Sequence, residues 1–280
     1  MHPLESIFLG ILQGLTEFIP VSSSGHLEII PTVFGLTEPS TIFILFAHLG
    51  TLLALLVFFR KRVLRLIIAG IHFILGKRDK EYKDDQRLLF NILIAAIPAG
   101  LLGFLLKDVI ASIYDGPEHL DLSVALTLGA MALLGVIFIL SPRFLTRKKH
   151  DLSKLSSKNA FVIGATQALA FIRGTSRSGI TLITGQLMGL DRVSSAEFSF
   201  FISIPVITAT SLYGIYELIQ LPSEQINTEL MPALLALVAA FVSGLLAIRF
   251  LLGYLKKHGL AVFGWYRIIF ALIIGLIFVL

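Results

Sequence analysis

Two short polar stretches hold most of the residues able to do chemistry. The first runs Pro20-Val21-Ser22-Ser23-Ser24-Gly25-His26, with Gln13 and Glu17 just before it. The second runs Arg173-Gly174-Thr175-Ser176-Arg177-Ser178-Gly179, with Thr181 just after it. Together they offer a carboxylate, an imidazole, guanidinium groups and many hydroxyls. That set suits an anion such as phosphate. Arginine grips oxygens bidentately, Ser and Thr donate hydrogen bonds, His26 is a nucleophile or general acid, and Glu17 is a base or metal ligand. Each stretch also opens a helix whose first backbone N–H groups are free to bind an anion. Plainer readings exist. Ser and Gly commonly serve helix packing in membranes, a histidine facing a bundle interior is commonly a satisfied polar group, and Arg177 could merely neutralise Glu17. Co-occurrence in two matched stretches is what points to function.

The elements that must hold these stretches are apolar. Of 280 residues, 56% are apolar and 15% charged, and the mean hydropathy is +0.88. Soluble domains average about 45–50% apolar and about 25% charged, so a water-soluble fold is excluded. A spanning helix needs about 20 mostly apolar residues, and segments 40–59, 88–106, 122–140, 193–216, 230–252 and 259–280 qualify. Segments 6–19, 27–36, 160–172 and 180–190 are too short, and they flank the two polar stretches in pairs. They read as two re-entrant helical hairpins, whose irregular tips are tolerated at membrane depth only under protein or beside a wet cavity. Segment 63–75, beginning beside Arg60, Lys61, Arg62 and Arg65, reads as an interfacial helix. No signal peptide is evident, since the first apolar stretch lacks a basic leader. The absence of cysteine excludes disulfides, thiolate nucleophiles and iron–sulfur ligation.

Charge gives the orientation and accounts for the net +5 without a nucleic-acid partner. Loops 60–87, 141–159 and 253–258 are rich in Lys and Arg, whereas 217–229 carries Glu217, Glu224 and Glu229 with no base. The basic loops are therefore cytoplasmic and both termini extracytoplasmic. The run at 77–87 reads as a solvated cytoplasmic loop. Setting Gln13 on Gln167 brings Leu15 onto Leu169, Ser22 onto Ser176, Ser24 onto Ser178 and Gly25 onto Gly179. Each half, about 1–141 and about 155–280, supplies one hairpin and three spans. Three crossings is an odd number, so the halves form an inverted-topology repeat with its functional site near midplane. The expected fold is one all-α polytopic membrane domain of six transmembrane helices plus two re-entrant hairpins. Outside the tips, His48 sits in a span with no titratable neighbour. His2, His72, His119, His150 and His258 are loop or interfacial residues. Glu197 and Arg267 are single charges within spans, for which pairing across helices and lining of the pocket both stay open.

Residues 13–26, QGLTEFIPVSSSGH, and 173–181, RGTSRSGIT, resemble the undecaprenyl pyrophosphate phosphatase family, the bacitracin-resistance type of bacterial membrane protein. The family's first motif is Glu or Gln, three residues, then Glu, followed by a Ser-rich turn and a His. Gln13, Glu17, Ser22, Ser23, Ser24, Gly25 and His26 occupy it. Its second motif is Pro-Gly-x-Ser-Arg-Ser-x-x-Thr. Gly174, Ser176, Arg177, Ser178 and Thr181 match, and Arg173 stands where Pro is usual. The stretch 191–201, DRVSSAEFSFF, is also similar.

The resemblance implies hydrolysis of undecaprenyl diphosphate to the monophosphate in a bacterial plasma membrane, recycling the lipid carrier for cell-wall synthesis at a pocket open to the extracytoplasmic side. It implies help from a divalent cation, Mg2+ or Ca2+. Glu17 would hold the cation through the diphosphate, with Gln13 a further candidate ligand that cannot act as a base. The implied catalytic residues are Glu17, Ser23, His26 and Arg177. The phosphate contacts are Ser22, Ser24, Gly25, Gly174, Ser176, Ser178, Gly179 and Thr181. Ser23, with Glu17 or His26 as base, is preferred as nucleophile over direct attack by His26. A homodimer is left open. The alternative is a secondary transporter or translocator of an anionic lipid or solute, a design that also uses inverted repeats and broken helices. Phosphate release by the purified protein separates the two.

Overall fold

The computed structural model describes residues 1–77, 80–114, 120–145 and 150–279. Arg78, His119, Arg147, Lys148 and Lys149 lie outside them. Among the described residues no β-strand forms, and an isolated bridge pairs His150 with Leu190. Helices α1 (Pro3–Phe18) and α2 (Ser23–Phe34) flank the first polar stretch. Then come α3 (Thr41–Phe58), α4 (Arg60–Ile74), α5 (Lys83–Tyr114) and α6 (Leu120–Leu140). Helix α7 (Ser157–Thr166), continued by a 3-10 turn over Gln167–Phe171, and α8 (Arg177–Leu187) flank the second stretch. The chain closes with α9 (Arg192–Leu218), α10 (Ser223–Leu255) and α11 (Ala261–Val279).

Among the described residues six helices are long and apolar enough to cross a membrane; they contain segments 88–106, 122–140, 193–216 and 230–252 and overlap most of 40–59 and 259–280. Helices α2, α7 and α8 have 12, 10 and 11 residues, about 15–18 Å at 1.5 Å each, well short of a ~30 Å hydrocarbon core. Helix α1 starts on a capping box, in which His2 Nδ1 accepts from Leu4 N–H and Glu5 accepts from His2 N–H. It ends before Pro20. Ser40 caps α3 by accepting from Phe43 N–H.

Small residues set the packing, as expected where lipid removes the hydrophobic drive between helices. Helix α1 lies on α10, and a Cβ at Gly14 would meet the Ala240 carbonyl oxygen at 2.5 Å. Helix α3 lies on α10 through Gly50, α7 lies on α5 through Gly164, and α11 crosses α6 at Gly264 and Gly135. Each short-helix pair thus leans on a span of the other half of the chain: α1 on α10, α7 on α5. Phe18, Phe138, Phe200, Ile248 and Leu251 form the main buried cluster beneath the polar centre.

The charged run 77–87 departs from the solvated loop expected of it. Lys80–Tyr82 form a 3-10 turn and α5 begins at Lys83. Asp85 is only 2% exposed. Its carboxylate takes Arg65 Nη2 at 2.9 Å and Arg62 Nη1 at 3.2 Å. Asp84 and Asp85 suit the first turn of α5, where the helix dipole favours negative charge. Helix α4, expected from the sequence at 63–75, begins at Arg60, three residues earlier, directly after Phe59 ends α3.

Candidate functional site

In the first tip, Val21 N–H turns back onto the Ile19 carbonyl at 2.7 Å. Ser22 follows at φ 79°, and its Oγ accepts from Gly25 N–H at 3.3 Å, capping α2. In the second tip Ser176 stands at φ 71°, and its Oγ accepts from Gly179 N–H at 3.2 Å, capping α8. Among the described residues these are the only non-glycine positions with positive φ. Such backbone costs on the order of 1–3 kcal/mol per residue and tends to persist where a site needs it. Gly174, at φ 87°, passes so close to α6 that a Cβ would sit 2.1 Å from the Thr127 carbonyl oxygen. No other residue fits there.

The first residue of α2 is Ser23 and the first of α8 is Arg177. Both reach Glu17, which is buried near the end of α1. Arg177 Nη2 pairs with Glu17 Oε1. Ser23 Oγ donates to Glu17 Oε2 at 2.8 Å, and Gln13 Nε2 donates to the same oxygen at 3.1 Å. The two tips therefore meet on one carboxylate. Arg177 Nη1 is buried with no hydrogen-bond partner among the described residues, and so is Gln13 Oε1. Orphaned buried polar atoms are costly, and these two leave one donor and one acceptor free beside Glu17. Ser24 is exposed beside the site, while Ser22, Ser176 and Ser178 are buried and bond within their own tips.

His48 corrects the sequence reading, which gave it no titratable neighbour. Its Nε2 lies 4.0 Å from Glu17 Oε2, and its Nδ1 donates to the Ile44 carbonyl at 2.8 Å. The link depends on α3 docking through Gly50, which no local motif records. His26 is fully buried, and both its ring nitrogens bond to groups other than Glu17. Its Nδ1 lies 2.7 Å from the Ser22 carbonyl, which can only accept, so Nδ1 carries the proton. Nε2 then accepts from the Tyr266 hydroxyl at 2.7 Å. The ring also packs against Phe270, with centroids 4.5 Å apart. Thr181 does not reach the anion side either. Its hydroxyl donates to the Arg177 carbonyl at 2.8 Å and meets Ser199 Oγ at 2.7 Å, tying α8 to α9.

Glu28 is a second carboxylate that the sequence reading passed over inside an apolar segment. It accepts from Ser123, from Thr127 at 3.0 Å and from Arg173 Nη1 at 3.4 Å. Arg173 also lies over the Tyr114 ring, whose hydroxyl accepts from Arg173 N–H at 3.1 Å. The residue that replaces the expected proline thus has partners on α2 and α5. A single charge there would be a poor fit to the bilayer, and Glu28 meets it.

The donors present fit a divalent cation that also takes ligands from a phosphate. Glu17 gives a carboxylate and Gln13 an unpartnered amide oxygen. Among the described residues no cluster of three His, Cys, Asp or Glu forms a closed cage. Mg2+ is commonly held in this way, by one or two carboxylates plus substrate oxygens.

The fold and this centre define a multi-pass helical membrane protein in which two short-helix tips converge on one buried carboxylate. Within that class the chain belongs to the family described as bacitracin resistance protein BacA, which residues 6–273 match. Undecaprenyl-diphosphatase of Caldicellulosiruptor bescii is 37% identical over 274 residues, covering 98% of this chain and 97% of the relative. That of Idiomarina loihiensis is 34% identical and covers 99% of this chain and 100% of the relative. That of Methanobrevibacter smithii is 38% identical over 280 residues, covering 98% and 97%.

Proposed function

We propose that this chain hydrolyses undecaprenyl diphosphate to undecaprenyl phosphate and phosphate. One observation carries the reading at the residue level: Arg177 and Ser23, the leading residues of two separate helices, grip the two oxygens of Glu17. The terminal phosphoryl group docks on the free Nη1 of Arg177 and on the first N–H groups of α2 and α8. Ser23 passes its proton to Glu17 and attacks the terminal phosphorus in line. The bond to the bridging oxygen breaks, and polyprenyl phosphate leaves with that electron pair. Polyprenyl phosphate takes the proton held on Glu17 as it departs, and the restored carboxylate deprotonates a water that cleaves the phosphoserine P–O bond, releasing phosphate and returning the proton to Ser23 Oγ. His26, neutral and buried, holds the first tip through the Ser22 carbonyl. A divalent cation held by Glu17 and Gln13 supplies charge neutralisation of the phosphate oxygens when bound.

We read the short-helix pairs as re-entrant hairpins and the halves as an inverted repeat. The matched Ser22 and Ser176 backbones, and the reciprocal packing of α1 on α10 and α7 on α5, support this. The polyprenyl tail lies in the bilayer while the diphosphate enters from the extracytoplasmic side, the side opposite the Lys- and Arg-rich loops. The test is phosphate release from undecaprenyl diphosphate by the purified protein in detergent with divalent cation. Stoichiometric release of one phosphate per lipid is expected. Binding of the lipid without release would instead mark a translocator.

A further inference from the structure

Arg267 is a buried charge between the two tips that the chemistry above does not use. It stands on α11, one turn beyond the close crossing of Gly264 with α6. It is 0% exposed and no carboxylate pairs with it among the described residues. Its guanidinium donates only to backbone carbonyls. Nε reaches Met131 at 3.0 Å and Nη1 reaches Pro20 at 3.3 Å. Nη2 reaches Gly174 at 2.6 Å, with Ala130 and Thr175 at 3.3 Å. Pro20 belongs to the first tip, Gly174 and Thr175 to the second, and Ala130 and Met131 to α6. One planar fork thus joins both tips to a span.

We propose that Arg267 is a positioning residue for the diphosphate site, clamping the two tips at the spacing that lets Ser23 and Arg177 share Glu17. This rests on the phosphatase reading of that site. Both tips break their helices, so carbonyls there lack intrahelical partners and need a buried donor. A guanidinium presents five N–H groups in a fixed fork, and an ammonium presents three from one point. The position of each donor in the fork dictates where each tip lies. The charge has a second consequence. Glu17 and Arg177 neutralise each other, so Arg267 leaves the centre with a net positive charge before substrate arrives. A preorganised charge in a water-poor site favours a polyanion without reorganising.

Charge and geometry can be separated with Arg267→Lys and Arg267→Gln in the full chain, purified in detergent and compared at equal folded fraction by circular dichroism. Because the chain has no cysteine, spin labels can be placed at Leu15→Cys and Ile172→Cys. Both positions are exposed, lie outside the catalytic set and flank the two tips. A displacement of about 1 Å in a catalytic group can cost about 10²-fold in rate. Arg267→Lys is expected to keep KM within about threefold and lose about 10²-fold in kcat, because the charge stays and the fork is gone. Arg267→Gln is expected to lose as much in kcat and also raise KM by about tenfold, because the charge is gone too. The label-to-label distance distribution is expected to broaden in both. If Arg267→Gln fails to fold, Arg267→Lys carries the test alone. An unbroadened distance, or an unchanged kcat, in a folded variant overturns the proposal. Failure of the phosphatase reading itself would show as absence of phosphate release by the unsubstituted protein, and the distances alone would then decide the clamp.

Discussion

Glu17 carries three contacts that suit the proposed role of base: the Arg177 guanidinium on Oε1, and a hydroxyl and an amide donor on Oε2. Its geometry separates the two candidate nucleophiles. Ser23 Oγ already donates to the base, whereas both ring nitrogens of His26 are engaged elsewhere. With radiolabel in the terminal phosphate, a quenched turnover is expected to leave phosphate on Ser23. Ser23→Ala is expected to leave none, while His26→Ala still forms the adduct at reduced rate. Labelled phosphohistidine in the Ser23→Ala protein would reject serine attack. Gln13, Glu17, Ser23 and Arg177 were legible in the sequence because two matched polar tips broke apolar segments. The contacts of His26 were not, because they run to Tyr266, 240 positions away in the chain. Nor was His48 beside Glu17, since its placement follows from the docking of α3 and leaves no spacing signal in the sequence.

At the scale of elements, the tips are only as fixed as the helices that carry them. Helix α7 approaches α5 so closely that a Cβ on Gly164 would lie 2.0 Å from the Ala95 carbonyl oxygen. Backbone cannot yield as a side chain tip can. Gly164→Ala is therefore expected to destabilise by at least about 3 kcal/mol, at or above the upper end of ordinary overpacking. Gly253→Ala, with nothing within 4 Å of its added Cβ, is expected to be neutral or slightly stabilising within its helix. Thermal melting in detergent compares them, and equal melting temperatures would show that α7 has room to move. The spans themselves were legible from length and hydropathy alone. Their overhangs were not: α5 reaches back to Lys83 because Asp85 is held by Arg62 and Arg65 from α4, a tertiary contact that turns a charged run into helix.

Over the whole molecule, the two tips are alike in backbone and unlike in chemistry. The offset that carries Ser22 onto Ser176 carries Ser23 onto Arg177 and Glu17 onto Phe171. One half brings Glu17 and Ser23, the other Arg177, so neither half makes the proposed site alone. The proposed orientation, argued from the Lys and Arg distribution, puts Lys80 on the cytoplasmic side and Glu224 on the other. Single cysteines at these exposed positions are expected to react with an impermeant thiol reagent in intact cells at 224 and not at 80. The reverse pattern would invert the topology. The most direct measurement is phosphate release from undecaprenyl diphosphate by Glu17→Gln at saturating divalent cation. The substitution barely changes volume, yet it removes the base and the charge on which both tips converge. Turnover is expected to fall at least about 10²–10³-fold, on the scale of losing a preorganised electrostatic group. Near-unchanged release would show that the Glu17–Arg177–Ser23 meeting point is structural and that the chemistry occurs elsewhere.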